Sequence, residues 1–113
     1  MIEALAREFG VIPMFVWQPI PTYKYDISNH LFVSTGPWMR GSGARTKRGY
    51  QYVAESLRKG EPSLRFLWLA DIQQDLQKAL YVDQVHYTAW MSRHIAEQIA
   101  KLISERGLLR DLK

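Results

Sequence analysis

An aspartate stands three residues ahead of a histidine in Tyr81-Val82-Asp83-Gln84-Val85-His86-Tyr87-Thr88, and this pair is the part of the chain best suited to chemistry. An imidazole can take up a proton near neutral pH because its unperturbed pKa is about 6.5. It works well as a base when one ring nitrogen is held by an acceptor, which fixes the tautomer and stabilises the imidazolium that forms. A carboxylate three residues earlier in a turn reaches Nδ1 and leaves Nε2 free. The same spacing also fits a plain turn, in which Asp83 caps the backbone and His86 is a half-buried ring at a helix start. Asp-x-x-His alone recurs by chance.

The elements that would carry this pair follow from periodicity. Residues 2–9 read as a short helix, with Ile2, Leu5, Ala6 and Phe9 at helical spacing and Gly10 closing it. Residues 11–17 are continuously apolar and suit a strand buried on both faces of a parallel sheet, although Pro13 removes one ladder donor. Gln18-Pro19 ends that strand. Gln18 then stands at the carboxyl edge of the sheet, where open α/β folds bind ligands, and is a candidate substrate contact. A strand-end residue bonding to loop backbone is its other reading.

Residues 19–45 read as a long loop insertion, rich in Pro and Gly and interrupted by Tyr23, Tyr25, Phe32 and Trp38. Loops of this size are commonly lids or binding segments. His30 lies here and reads as a solvent-facing loop histidine. Gly41-Ser42-Gly43 lacks both the spacing and the preceding strand of a nucleophile elbow and reads as a flexible turn. Arg40, Arg45, Lys47 and Arg48 concentrate positive charge in a chain of net charge +4. Without a stacking array or a nucleic-acid motif, this cluster reads as a solvated loop entering a helix, and nucleic acid is not an expected partner.

Residues 46–59 read as a helix with the stripe Tyr50, Val53, Ala54 and Leu57, closed by Gly60. Leu64–Ala70 reads as a second buried strand, and Asp71–Leu80 as a short helix or an irregular turn. A last helix spans about Thr88 to Arg106, with Thr88 as N-cap and an apolar face of Trp90, Ile95, Ile99, Leu102 and Ile103. His94 falls in its middle as an ordinary helical residue. Helices alternating with buried strands predict an α/β fold with a parallel sheet and a right-handed crossover.

The block around Asp83 and His86, followed by Ile95-Ala96-Glu97-Gln98-Ile99-Ala100, resembles the C-terminal block of the SGNH (GDSL-type) hydrolases. There a Tyr-x-Asp-x-x-His-x-Thr segment precedes a final helix with an Ile-Ala-x-x-Ile pattern. Phe15-Val16-Trp17-Gln18-Pro19, after Gly10-Val11, resembles a Gln-Pro strand of the same family. The resemblance covers roughly residues 1–22 and 64–106 and leaves the middle unmatched.

It implies a Ser-His-Asp mechanism on esters, with His86 as base and Asp83 as its orienting acid. It also implies a three-layer α/β/α, flavodoxin-like fold, whose sheet in the family has about five strands. The family's Gly-Asp-Ser nucleophile block and its Gly and Asn oxyanion donors find no counterpart. Trp90, Met91 and Ser92 stand where the family has Gly and Asn. The whole chain, 1–113, therefore reads as a single incomplete domain, the C-terminal half of such a hydrolase, inactive without its serine.

Composition narrows the partners. The 113 residues are 47% hydrophobic and 12% aromatic, as in a globular chain. With no cysteine there is no disulfide, thiolate metal site or cysteine nucleophile. The carboxylates and His86 lack metal-ligand spacing, so neither a metal nor a cofactor is expected. Charges in Met1–Glu8 do not fit a signal peptide, and no apolar run approaches the ~18 residues of a membrane span, so no membrane partner is expected. The expected partners are a small-molecule, saccharide or lipid ester, and further copies of the chain meeting at an exposed sheet edge. The alternative is a non-catalytic binding or assembly module whose basic loop meets an anionic partner.

Overall fold

The computed structural model describes residues 1–32 and 41–109. Helix α1 (Ile2–Glu8) leads to strand β1 (Phe15–Trp17), a 3-10 turn at Ile27–Asn29, helix α2 (Ser42–Lys59), strand β2 (Phe66–Trp68) and helix α3 (Ala89–Glu105). The strands pair in parallel, with Phe15 beside Phe66, Val16 beside Leu67 and Trp17 beside Trp68. Among the described residues the chain is thus α/β in the broad sense, with a short two-stranded parallel sheet and three helices.

Gly10 and Gly107 have positive φ values of 62° and 64°, which a Cβ would disfavour. At the first, Val11 N–H bonds back to Ala6 at 2.8 Å and turns the chain toward β1. Both strands are shorter than their apolar runs. Before β1, Pro13 lacks the donor a ladder needs, and pairing begins only where Phe15 N–H meets the Arg65 carbonyl at 2.9 Å. It ends where Leu69 N–H meets Trp17 at 2.9 Å.

The first core lies on the sheet face that carries the alternate residues Trp17 and Trp68. Tyr23, Tyr50 and Ala70 are buried there, with Trp17, Ile20, Ala54 and Trp68 packed against them. Trp17 stacks on Trp68 with ring centroids 6.3 Å apart and meets Tyr50 of α2 edge-on at 5.5 Å. A second core, Leu80, Tyr81 and Met91, joins the segment after β2 to the first turn of α3, with Tyr25, Ile72, Leu76, Tyr87 and Ile95 around it.

Helix α2 corrects the sequence reading at its start. Ser42–Arg45 are helical, so the loop after β1 ends sooner than residue 45, and Gly41-Ser42-Gly43 enters a helix rather than making a flexible turn. Two glycines oppose helix locally. Tertiary packing wins: Gly43 is buried, one step further along the stripe of Tyr50, Ala54 and Leu57. Arg40, Trp38 and Ser34 fall outside the described residues. In α3, Met91 rather than Trp90 starts the buried face; Trp90 is exposed, stacked on His94 and covered by the Lys78 ammonium at 3.9 Å.

The two edges of the sheet differ. Alternation in a parallel ladder turns the Phe66 carbonyl away from β1. There the Arg106 guanidinium donates to the Leu64 and Phe66 carbonyls at 2.7 and 2.9 Å. On β1 the same alternation turns the Val16 N–H and carbonyl outward, and among the described residues no hydrogen bond meets them. Val16 is 39% exposed, and Ile2 and Leu5 of α1 are exposed as well, as is Phe9 just beyond its end, with only Ala6 of that helix buried.

Candidate active site

The loop from Tyr81 to Tyr87 is closed at its base. Tyr81 and Tyr87 form an antiparallel bridge. Val82 N–H donates to His86 at 2.8 Å and Thr88 N–H to Leu80 at 2.9 Å. Just beyond, the Thr88 hydroxyl accepts from Met91 N–H at 3.2 Å, the N-cap that the sequence predicts.

Within this loop the structure brings Asp83 and His86 together. His86 Nδ1 lies 2.6 Å from Asp83 Oδ2. The other carboxylate oxygen accepts from the Val85 and His86 amides, each at 2.8 Å. The two backbone amides, and then the imidazole, hold the Asp83 carboxyl down at about 2, below the ordinary carboxylate value. Because this folded value is depressed, the interaction is fully present above the ordinary carboxylate pKa. It is lost only as the pH falls through about 2.

Asp83 is therefore a carboxylate wherever a histidine can act as a base, and it selects the tautomer with the proton on Nδ1. Among the described residues nothing hydrogen-bonds Nε2, and the His86 side chain is 75% exposed.

Beneath the pair lies a network of tyrosines and one glutamine. Gln73, fully buried, donates from Nε2 to the Ile20 and Tyr23 carbonyls at 2.7 Å each. Its Oε1 accepts from the Tyr81 hydroxyl at 2.6 Å. Tyr87 donates to the Pro19 carbonyl and Tyr50 to the Gln18 carbonyl at 2.8 Å. Burial pushes the Tyr81 and Tyr87 hydroxyls well above the usual phenol range, so both remain donors. The end of β1 is thereby tied to the residue next to His86.

Gln18 stands at the carboxyl end of β1, as its position in the sequence implies. Its backbone carbonyl is engaged by Tyr50, while its side chain is exposed and makes no hydrogen bond among the described residues. Ser28 donates to Asp26 at 2.7 Å, and Ser42 opens α2; neither bonds to His86. Among the described residues no group of three His, Cys, Asp or Glu is placed to hold a metal ion, and no helix is long and apolar enough to cross a membrane.

The histidine expected to face solvent does the opposite. His30 is 6% exposed, stacked flat on Tyr81 with ring centroids 5.1 Å apart. Its position in a polar, Pro-rich segment carried no periodic signal, and its partner lies far along the chain. Gln73 was missed for the same reason.

No family model matches the chain, and neither a curated protein nor a solved structure matches it.

Proposed function

We propose that Asp83 and His86 are the acid and base of a Ser-His-Asp esterase of the SGNH type. In this reading the chain forms the C-terminal part of a three-layer α/β/α domain, and sequence outside it supplies the serine. The observation that carries the reading is the 2.6 Å contact of Asp83 with Nδ1, beside an Nε2 that meets no hydrogen bond among the described residues. His86 takes the serine proton on Nε2. Asp83 stabilises the imidazolium, the acyl group passes from the ester to the serine oxygen, and His86 returns the proton to the leaving alcohol. Water then repeats the sequence and releases the acid. Gln18, at the same sheet edge, offers an amide to the substrate, a small-molecule, saccharide or lipid ester.

Hydrolysis of a short-chain aryl acetate by the purified chain, with His86→Ala beside it, tests the division of labour. Both are expected to stay at background. Turnover that is lost in the variant would place a nucleophile within the chain and overturn it, with Ser28, Ser34 and Ser42 the first to replace.

The open β1 edge supports an assembly role beside this one. A two-stranded sheet is marginal alone, and an unpaired strand is a template for another chain. Self-association through β1 is expected in sedimentation, and Val16→Lys, which charges that edge, is expected to shift the chain toward monomer. An unchanged sedimentation profile for Val16→Lys would remove β1 as the contact.

A further inference from the structure

We propose that the cleft between α2 and the outer edge of β2 is a second binding site, which takes the carboxylate of a small organic acid on Arg58 and Arg106 and lays its apolar body over Phe66 and Trp68. The inference goes beyond the functional reading above and does not depend on it, since neither Asp83 nor His86 lines this cleft.

The cleft follows from how α2 meets the sheet. Tyr50 packs closely there, its ring centroid 5.5 Å from that of Trp17 and 6.2 Å from that of Trp68. Toward the end of α2 the packing opens. Phe66 and Trp68 are only half-buried, and a cavity of about 570 Å³ lies between them and the Ala54–Arg58 stretch of the helix. Arg106, just past the end of α3, lines it as well. A cavity of this size with an aromatic floor suits a small organic ligand.

The charges in the cleft decide which ligand. Its two carboxylates already have lysine partners: Asp71 meets Lys24 at 3.0 Å and Glu55 meets Lys59 at 2.6 Å. The guanidinium groups of Arg58 and Arg106 remain, and among the described residues no carboxylate pairs with either.

Arg106 is the anchor. Its Nη1 donates to the Leu64 and Phe66 carbonyls at 2.7 and 2.9 Å, which fixes the plane of a half-buried guanidinium. Its Nε and Nη2 stay available, with no acceptor among the described residues. A guanidinium edge of fixed orientation is suited to take a carboxylate in two parallel bonds. A half-buried charge with no counter-ion also carries a desolvation cost that a bound anion would offset.

The anion this cleft fits is a monocarboxylate with a ring or chain attached. A bare ion would leave Phe66 and Trp68 uncovered, whereas an aromatic body stacks on them. Glu55 and Asp71 on the same cleft oppose a second negative charge, which disfavours a phosphate dianion.

The test titrates phenylacetate into the ¹⁵N-labelled full chain. The Trp68 indole N–H and the Arg106 Nε–H resonances are expected to shift together and saturate, while His86 stays in place. Phenylacetamide has the same shape without the charge, and is expected to bind about tenfold more weakly, as loss of a charge-assisted pair with guanidinium implies. Arg58 is exposed and makes no hydrogen bond or ion pair among the described residues. Arg58→Gln is therefore expected to unfold at the wild-type temperature and to bind phenylacetate severalfold more weakly.

Equal affinity for acid and amide would overturn the proposal and reduce the cleft to an apolar slot. Unchanged affinity in Arg58→Gln would overturn it too, as would inorganic phosphate saturating the same resonances at the same concentration. Shifts centred on His86, or no saturation at all, would do the same. Binding is read without hydrolysis, so an absent esterase activity leaves this site standing, and an empty cleft leaves the esterase reading standing.

Discussion

Asp83→Asn is expected to lower the turnover of the serine-bearing enzyme by about four orders of magnitude while leaving the fold intact, by analogy with other triads in which an amide replaces the acid. The local geometry explains both halves of that result. A side-chain amide carbonyl in place of Oδ1 still accepts from the Val85 and His86 amides, at 2.8 Å each in the native loop, so the turn survives. At the Oδ2 position, 2.6 Å from Nδ1, there is now an amide nitrogen that donates rather than accepts.

The imidazole then turns its Nδ1 lone pair toward that amide and carries its proton on Nε2, where a base needs none. Since the Asp83 side chain is 52% exposed, no buried group is orphaned and the melting temperature is expected to hold. Steady-state kinetics and thermal unfolding measured together check the claim; equal loss of stability and activity would contradict it. Because the Asp83 carboxyl is held at about 2, loss of its charge is not expected to limit the activity of the native pair at any pH above that value.

Gln73→Leu is expected to be the most damaging single change to stability. The fully buried amide satisfies three groups at once: the Ile20 and Tyr23 carbonyls and the Tyr81 hydroxyl. Leucine fits the volume but leaves the Tyr23 carbonyl and the Tyr81 hydroxyl without a partner, while the Ile20 carbonyl keeps the Tyr23 N–H at 3.2 Å. Each orphaned buried group costs about 1–3 kcal/mol, so the two together cost about 2 kcal/mol or more. That is a large share of the ~5–15 kcal/mol a domain has in total. Urea unfolding is expected to show this as a fall in midpoint at similar slope. Tyr81→Phe, which orphans only Gln73 Oε1, is expected to cost about half as much. A loss below about 1 kcal/mol for Gln73→Leu would mean that water replaces the amide and that the network does not set the loop.

What the sequence made legible was local. Asp83 and His86 meet across one turn, Thr88 caps the helix that starts beside it, and Gly10 and Gly107 adopt the positive φ their positions imply. The parallel α/β character followed from two apolar runs separated by a helical pattern. The strand ends did not, because pairing depends on partners such as Arg65 and Leu69 on the other strand. The start of α2 was hidden because glycine propensity opposes helix there and only burial of Gly43 reverses it. His30 and Gln73 left no trace because their roles lie in contacts made about 50 residues away along the chain.

The most direct measurement extends the coding sequence upstream of Met1, expresses that longer chain and assays aryl acetate hydrolysis with and without His86→Ala. The expected result is an in-frame Gly-Asp-Ser block and turnover that falls by about three orders of magnitude or more in the variant, as loss of a triad base entails. Turnover indifferent to His86, or an upstream sequence with no such serine and no hydrolysis, would contradict the esterase reading and leave the chain an assembly module.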